Sequence, residues 1–182
     1  MASNDVIRLL VIGADAAGMS AAHQAIRTAR VAGVELAVTA LEATGDTSYS
    51  ACGIPYWVAG DVASGDALVA RGAEEHRAAG IDLRLGATVT RVDPEARTVT
   101  YGEQVLGYDE LVIATGASAV VPDWAISSTG QRYAGVAPVK TLADGAAWLD
   151  MLAEGGRVVV AGGSTCALSR GLPARAGSTN VP

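Results

Sequence analysis

The sequence predicts an α/β fold, a parallel βαβ core carrying an inserted antiparallel β-meander. Three observations carry this expectation. A near-continuous apolar run at residues 6–12 ends in a glycine turn at 13–18, as a strand buried on both faces does before a crossover helix. Residues 19–30 then place Met19, Ala22, Ile26 and Ala29 at three- and four-residue steps, the period of a helix with one apolar face. Residues 34–41 form a second apolar run, which completes a strand–helix–strand unit with an expected right-handed crossover.

The remaining elements come in chain order. Gly33 suits the end of the first helix, because glycine adopts the left-handed conformation that closes helices. Glu42 ends the second strand. Short runs at 81–85, 88–92, 98–101 and 104–106, with a turn at 93–96 around Pro94, predict the meander over about residues 81–107. Residues 111–114 return as a buried strand before Thr115 and Gly116. Residues 119–140 contain Pro122 and Pro138 and little periodicity, so they read as a linker. An alanine-rich helix is expected at 142–152, and a strand at 157–161 running into Gly162 and Gly163. Residues 164–182 contain Pro173, scattered Gly, Ser and Arg and no apolar period, so a disordered tail is expected.

Composition narrows the function. The 182 residues carry a net charge of −6 and no basic cluster, which argues against nucleic acid as a partner. Two cysteines make no disulfide framework, so a reducing, cytoplasmic setting is the default. The apolar start is broken by Arg8 and Asp15 and lacks a basic leader, so it reads as strand and helix rather than as a signal sequence. No apolar run is long enough to span a membrane. Arginine occurs 12 times, lysine once and phenylalanine never, a bias expected from GC-rich coding DNA.

Two motifs carry chemistry. Gly13 and Gly18 match the first and third glycines of a dinucleotide turn, with Asp15 in the middle position. Such glycines allow a tight turn and close helix-on-strand packing, and the helix start then faces a pyrophosphate. An ordinary βα turn is the plain alternative, weakened by Glu42 at the next strand end and by Ala114, Thr115 and Gly116 downstream. Cys52 is the second motif. Lone cysteines are commonly small buried hydrophobes, yet this one sits between serines and Gly53–Pro55 at an expected helix start. A helix N-terminus favours the thiolate, the form that attacks disulfides. Ser20, Gln24 and Arg27 line one helix face opposite Met19 and Ile26, which reads plainly as a solvated stripe. His23 and His76 are read as isolated surface residues, and no metal-ligand spacing is present.

Four segments together resemble the FAD-dependent pyridine nucleotide–disulfide oxidoreductases, in the single-cysteine branch typified by coenzyme A-disulfide reductase. They are residues 11–22 around Gly13 and Gly18, residues 48–56 around Cys52, residues 108–116 ending in Ala114, Thr115 and Gly116, and residues 158–163. The two-cysteine branch has a second cysteine five positions after the first, where this chain has Trp57. The resemblance implies an FAD-binding Rossmann-like domain, with Gly13, Ala14, Ala17, Gly18, Glu42, Ala114, Thr115 and Gly116 at the cofactor. It implies NAD(P)H as co-substrate, and Cys52 as the residue forming a mixed disulfide with coenzyme A. Ser20, Gln24, Arg27 and Ser48 match family positions that contact coenzyme A. Ala51 stands where asparagine is common, and Ala16 where related NADH oxidases and peroxidases place a histidine. The family pairs as homodimers through a separate domain. No metal, nucleic acid or membrane partner is implied.

The resemblance also implies a domain plan. Residues 1–118 would be the first segment of the FAD domain, 119–140 a linker, 141–163 the start of an NAD(P)-binding domain and 164–182 an aberrant tail. Family members are more than twice this length. The second glycine turn fails, since Ala161 replaces its first glycine and Cys166 its third. A chain truncated by a frame change near Gly163 is therefore expected, with weak FAD binding, no NADH turnover and poor solubility. Two other functions compete, an NADH oxidase or peroxidase of the same fold and a non-catalytic nucleotide-binding module.

Overall fold

A computed structural model describes residues 6–153, 155 and 157–161. The expected turn at Gly162 and Gly163 and the tail at 164–182 lie outside the described residues. The chain divides into two compact units. One runs through Tyr49 and resumes over Ala70–Gly116; the other takes Ser50–Val69 and resumes at Ala117. The segment bearing Cys52 thus groups with the chain from Ala117 onward.

The first unit is built on a four-stranded parallel sheet. Its strands are β1 (Ile7–Ile12), β2 (Leu36–Leu41), β3 (Ile81–Arg84) and β7 (Glu110–Ile113), in the order β3-β2-β1-β7. Helix α1 (Ala16–Ala32) joins β1 to β2, and helix α3 (Ala73–Ala78) precedes β3. Strands β4 (Val89–Asp93), β5 (Thr98–Tyr101) and β6 (Gln104–Gly107) form a separate antiparallel sheet.

The alternation of β1 explains how the layers assemble. Leu9 and Val11 face one way, into a core with Met19 and Ala22 of α1, Val38 and Ala40 of β2, and Ile81 and Leu83 of β3. Leu10 and Ile12 face the other way, into a core with Leu41, Ala87, Val99, Tyr101 and Tyr108 from the meander side. A strand covered on both faces needs apolar residues at every position, and β1 has them from Leu9 to Ile12. Gly33 ends α1 in the left-handed region, φ 68°, and its N–H bonds back to Ala29 and Arg30 carbonyls.

Three expectations are corrected. Residues 81–85 do not belong to the meander, because β3 pairs in parallel with β2, Val38 opposite Ile81 through Leu41 opposite Arg84. As a sheet edge it alternates buried Ile81 and Leu83 with Asp82 and Arg84, a pattern that also fits an antiparallel ribbon. Strand β7 is only half-buried; Ile113 is 63% exposed at the other edge. Residues 157–161 pair with no strand among the described residues, and Val159 is 67% exposed.

In the second unit, a 3-10 turn (Ala51–Gly53) leads into α2 (Ile54–Val58), and a further 3-10 turn covers Gly65–Leu68. Helix α4 (Leu142–Leu152) matches its expected bounds. It starts at a capping box, Thr141 accepting from the Asp144 N–H while Asp144 accepts from the Thr141 N–H. The expected linker contains a 3-10 turn at Asp123–Ala125 and a bridge between Ile126 and Arg132. Among the described residues no helix is long and apolar enough to cross a membrane.

Candidate functional site

In the first unit, the β1–α1 turn depends on two glycines with no room for a side chain. A Cβ on Gly13 would lie 2.3 Å from the Ala114 carbonyl oxygen, and one on Gly18 would lie 1.8 Å from the Gly13 carbonyl oxygen. Gly13 also has φ 95°, a conformation glycine adopts without steric cost. The absent Cβ atoms therefore let the turn, the helix and the end of β7 come together. Gly116, after β7, also lies in the left-handed region, at φ 69°.

Glu42 ties the next strand end to this turn. Its Oε2 accepts from the Ala14 N–H at 2.8 Å, and its Oε1 accepts from the Thr44 N–H and hydroxyl at 2.9 Å each. The Asp15 side chain makes no capping bond to α1; its Oδ1 accepts from the Tyr49 N–H at 3.2 Å. Buried Thr47 donates its hydroxyl to the Ala14 carbonyl. Thus Gly13, Ala14, Gly18, Glu42 and Ala114 are brought together, while Ala17, Thr115 and Gly116 are exposed beside them. Asp15 and Thr47 were not singled out as anchors in the sequence, since side chain–backbone bonds across more than thirty residues leave no local pattern.

Ser20, Gln24 and Arg27 are exposed on α1, and the Arg27 guanidinium donates to the Gln24 side-chain carbonyl. Gln24 donates in turn to the Thr28 hydroxyl at 3.2 Å. Ser48 stands apart from these bonds. It is half-buried at φ 48°, and its carbonyl accepts from the Ala70 N–H at 2.8 Å.

The two histidines are neither isolated nor both on the surface. His76, on α3, is 1% exposed. Its Nδ1 is 2.9 Å from His23 Nε2, and its Nε2 is 2.9 Å from Ser48 Oγ. Arg71 Nη1 is 3.0 Å from His23 Nε2. Burial, followed by the Arg71 and Arg27 charges, holds the His23 imidazole below its usual pKa. Burial, followed by His23 and Arg71, lowers His76 likewise, against an opposing pull from Glu75. The cluster escaped sequence reading because its histidines are 53 residues apart and meet only in the folded chain.

Cys52 is a free, exposed thiol in the second unit. Its loop is fixed by backbone bonds from Ser50 N–H to Leu68 O, 2.8 Å, and from Gly53 N–H to Ser50 O, 2.9 Å. A Cβ on Gly53 would meet Leu68 Cδ2 at 2.4 Å. The chain enters a helix after it, as expected, but α2 has just five residues with Pro55 in its first turn. Trp57 of α2 packs against Gly65 and against Gly145 of α4. The described residues contain no cluster of three or more His, Cys, Asp or Glu able to hold a metal ion.

A family model described as pyridine nucleotide-disulphide oxidoreductase matches residues 7–176. A NADH oxidase of Methanocaldococcus jannaschii is 30% identical over 179 residues, covering 93% of this chain and 38% of that protein. A NAD(P)H coenzyme A polysulfide/persulfide reductase of Pyrococcus horikoshii is 39% identical over 125 residues, 67% of this chain and 27% of that protein. Among solved structures, a NAD-dependent persulfide reductase from A. fulgidus aligns with TM-score 0.73 and 29% identity, over 84% of this chain and 29% of the other. The chain thus spans well under half the length of the relatives it matches.

Proposed function

The chain belongs to the pyridine nucleotide-disulphide oxidoreductase family, and on that premise we propose that it forms part of an FAD-dependent disulfide reductase of the coenzyme A-disulfide type. The observation that carries the reading is Cys52, an exposed thiol on a loop pinned by Gly53 and Leu68. Since the chain spans 38% and 27% of the two curated relatives, the complete activity is proposed for a protein of their length.

The residues present fit a flavin dinucleotide. Gly13 and Gly18 leave backbone, not side chains, at the turn, which allows a pyrophosphate to approach N–H groups at the start of α1. Glu42 already accepts three hydrogen bonds from Ala14 and Thr44. An ionised carboxylate offers about four acceptor positions, so one remains for a ribose hydroxyl. Ala14, Ala17, Ala114, Thr115 and Gly116 would complete the wall. The bound flavin would pass to sulfur the two electrons that NAD(P)H supplies.

The protein's own step is thiol–disulfide exchange. Cys52 thiolate attacks one sulfur of a coenzyme A disulfide, a Cys52–S–S–CoA bond forms, and one coenzyme A thiolate leaves. Two electrons and a proton then return Cys52 to the thiolate and release the second coenzyme A thiol. Ser20, Gln24, Arg27 and Ser48 would hold the substrate; the guanidinium of Arg27 suits a phosphate.

The M. jannaschii relative favours a second reading, an NADH oxidase of the same fold. Exchange separates the two without NAD(P)H. Incubated with coenzyme A disulfide, the chain should gain one coenzyme A on Cys52 and release one equivalent of free thiol. The Cys52→Ser variant should gain none there. Modification confined to Cys166 would sink the disulfide reading and favour the oxidase.

A further inference from the structure

The four side chains Arg71, His23, His76 and Ser48 form a line of contacts, and the chemistry of Arg71 constrains which ring nitrogens carry protons. Arg71 can only donate, so His23 Nε2, 3.0 Å away, accepts. His23 Nε2 therefore carries no proton and cannot donate to His76 Nδ1 at 2.9 Å. His76 then donates from Nδ1, sharing with Arg71 the single Nε2 lone pair of His23. A neutral His76 then has an unprotonated Nε2, which accepts from Ser48 Oγ at 2.9 Å.

We propose that Arg71, His23 and His76 fix the polarity of Ser48: its hydroxyl proton is committed to His76, and its oxygen meets a ligand as a hydrogen-bond acceptor. Ser48 is suited to this role by its backbone, held at φ 48° with its carbonyl bonded to the Ala70 N–H. Ser48 is half-buried as a residue, whereas His76 behind it is closed to water. The ligand chemistry is set accordingly. A phosphate oxygen needs a donor and finds none at Ser48. An amide N–H or hydroxyl, such as the amides of a pantetheine arm, finds an acceptor. This rests on the reading of Ser48 as a coenzyme A contact, and it assigns which part of that substrate Ser48 selects.

The charged groups around the pair favour the neutral state. Arg71 and Arg27 face His23, while His23 and Arg71 face His76, with Glu75 opposing. If His76 gained a proton, Nε2 would become a donor, and the Ser48 hydroxyl would turn outward as a donor too. Ser48 thus distinguishes ligands by polarity at neutral pH and loses that distinction in acid.

Side-chain ¹⁵N spectra of the whole chain at neutral pH test the polarity directly. Both imidazoles should be protonated at Nδ1 and bare at Nε2; a proton on His76 Nε2 would overturn the proposal. Pantetheine and inorganic phosphate then serve as probes. Ser48→Ala should weaken pantetheine about fivefold and leave phosphate unchanged, whereas a loss confined to phosphate would also overturn it. If neither pantetheine nor coenzyme A perturbs the wild-type chain while the tautomers are as expected, the coenzyme A reading falls and the polarity of Ser48 stands.

Discussion

Asp109 accepts three hydrogen bonds from Arg8: from its backbone N–H at 2.8 Å, from Nε at 3.0 Å and from Nη2 at 2.7 Å. The Asp109 N–H returns one to the Arg8 carbonyl at 2.9 Å. This clasp joins the approach to β7 to the start of β1, and so helps set where Ala114 meets Gly13. The guanidinium and backbone bonds hold the Asp109 carboxyl far below the usual carboxylate range. A depressed carboxyl stabilises the fold above its unfolded pKa of about 4, and that contribution is lost as pH falls toward the lower folded value. Asp109→Asn should therefore lower the melting temperature at pH 7, with the gap to wild type narrowing below about pH 4. The pair is partly exposed, so high salt should narrow the gap as well. A gap unchanged by pH would show that the carboxylate charge contributes nothing.

The histidine pair has the same pH sense by a different route. Both imidazoles are held below their usual value, so the unfolded chain binds protons that the folded chain refuses. Stability should fall as pH drops below about 6.5. The loss continues until the pH passes the folded-state values. Scanning thermal unfolding between pH 8 and pH 5 reads this slope, and His76→Gln should flatten it. An equally steep slope in the variant would assign the acid sensitivity elsewhere.

Two glycines of the first unit should respond very differently to alanine. At Gly18 the new methyl would lie 1.8 Å from a backbone oxygen, which has no side-chain rotation available as relief. Gly18→Ala should cost about 3 kcal/mol or more. At Gly33 nothing lies within 4 Å, and only the left-handed backbone at φ 68° opposes the substitution. Gly33→Ala should cost about 1 kcal/mol. Equal costs by chemical denaturation would refute the close-approach account of the β1–α1 turn.

The same contrast explains what could be read from the sequence. The unit β1–α1–β2 was legible because burial on both faces leaves a continuous apolar run and α1 leaves a helical period. Helix α4 was legible from its alanines, and Thr141 and Asp144 secure its start. Strand β3 was misplaced because an edge strand of a parallel sheet alternates like a hairpin strand; its partner β2 is some forty residues upstream. Helix α3, six residues long, is too short to show a period. Without it, His76 had no position, and the meeting of His23, His76 and Ser48 could not be foreseen. Glu42 could be expected at the strand end, but its bond to the Ala14 N–H exists only through the folded turn.

The Cys52 loop offers a last test, in which the thiol itself is untouched. Alanine at Gly53 would press on Leu68 Cδ2 at 2.4 Å, the tip of a side chain that is 8% exposed. That tip can turn, so Gly53→Ala should cost about 1–2 kcal/mol. Alanine at Gly145 would instead meet the Trp57 ring at 2.7 Å and Ile54 Cγ2 at 2.9 Å. Ile54 is fully buried and the ring is a rigid plate, so Gly145→Ala should cost more than Gly53→Ala. Shortening Leu68 removes the first clash alone. In a double-mutant cycle, Leu68→Ala should therefore offset part of the Gly53→Ala cost and none of the Gly145→Ala cost. The functional readout is iodoacetamide labelling of Cys52, located by peptide mapping. The exposed wild-type thiol should label in the native state, Gly53→Ala should change the rate, and Leu68→Ala in the same chain should restore it. Rates indifferent to both substitutions would mean that the Gly53–Leu68 contact does not set the position of Cys52.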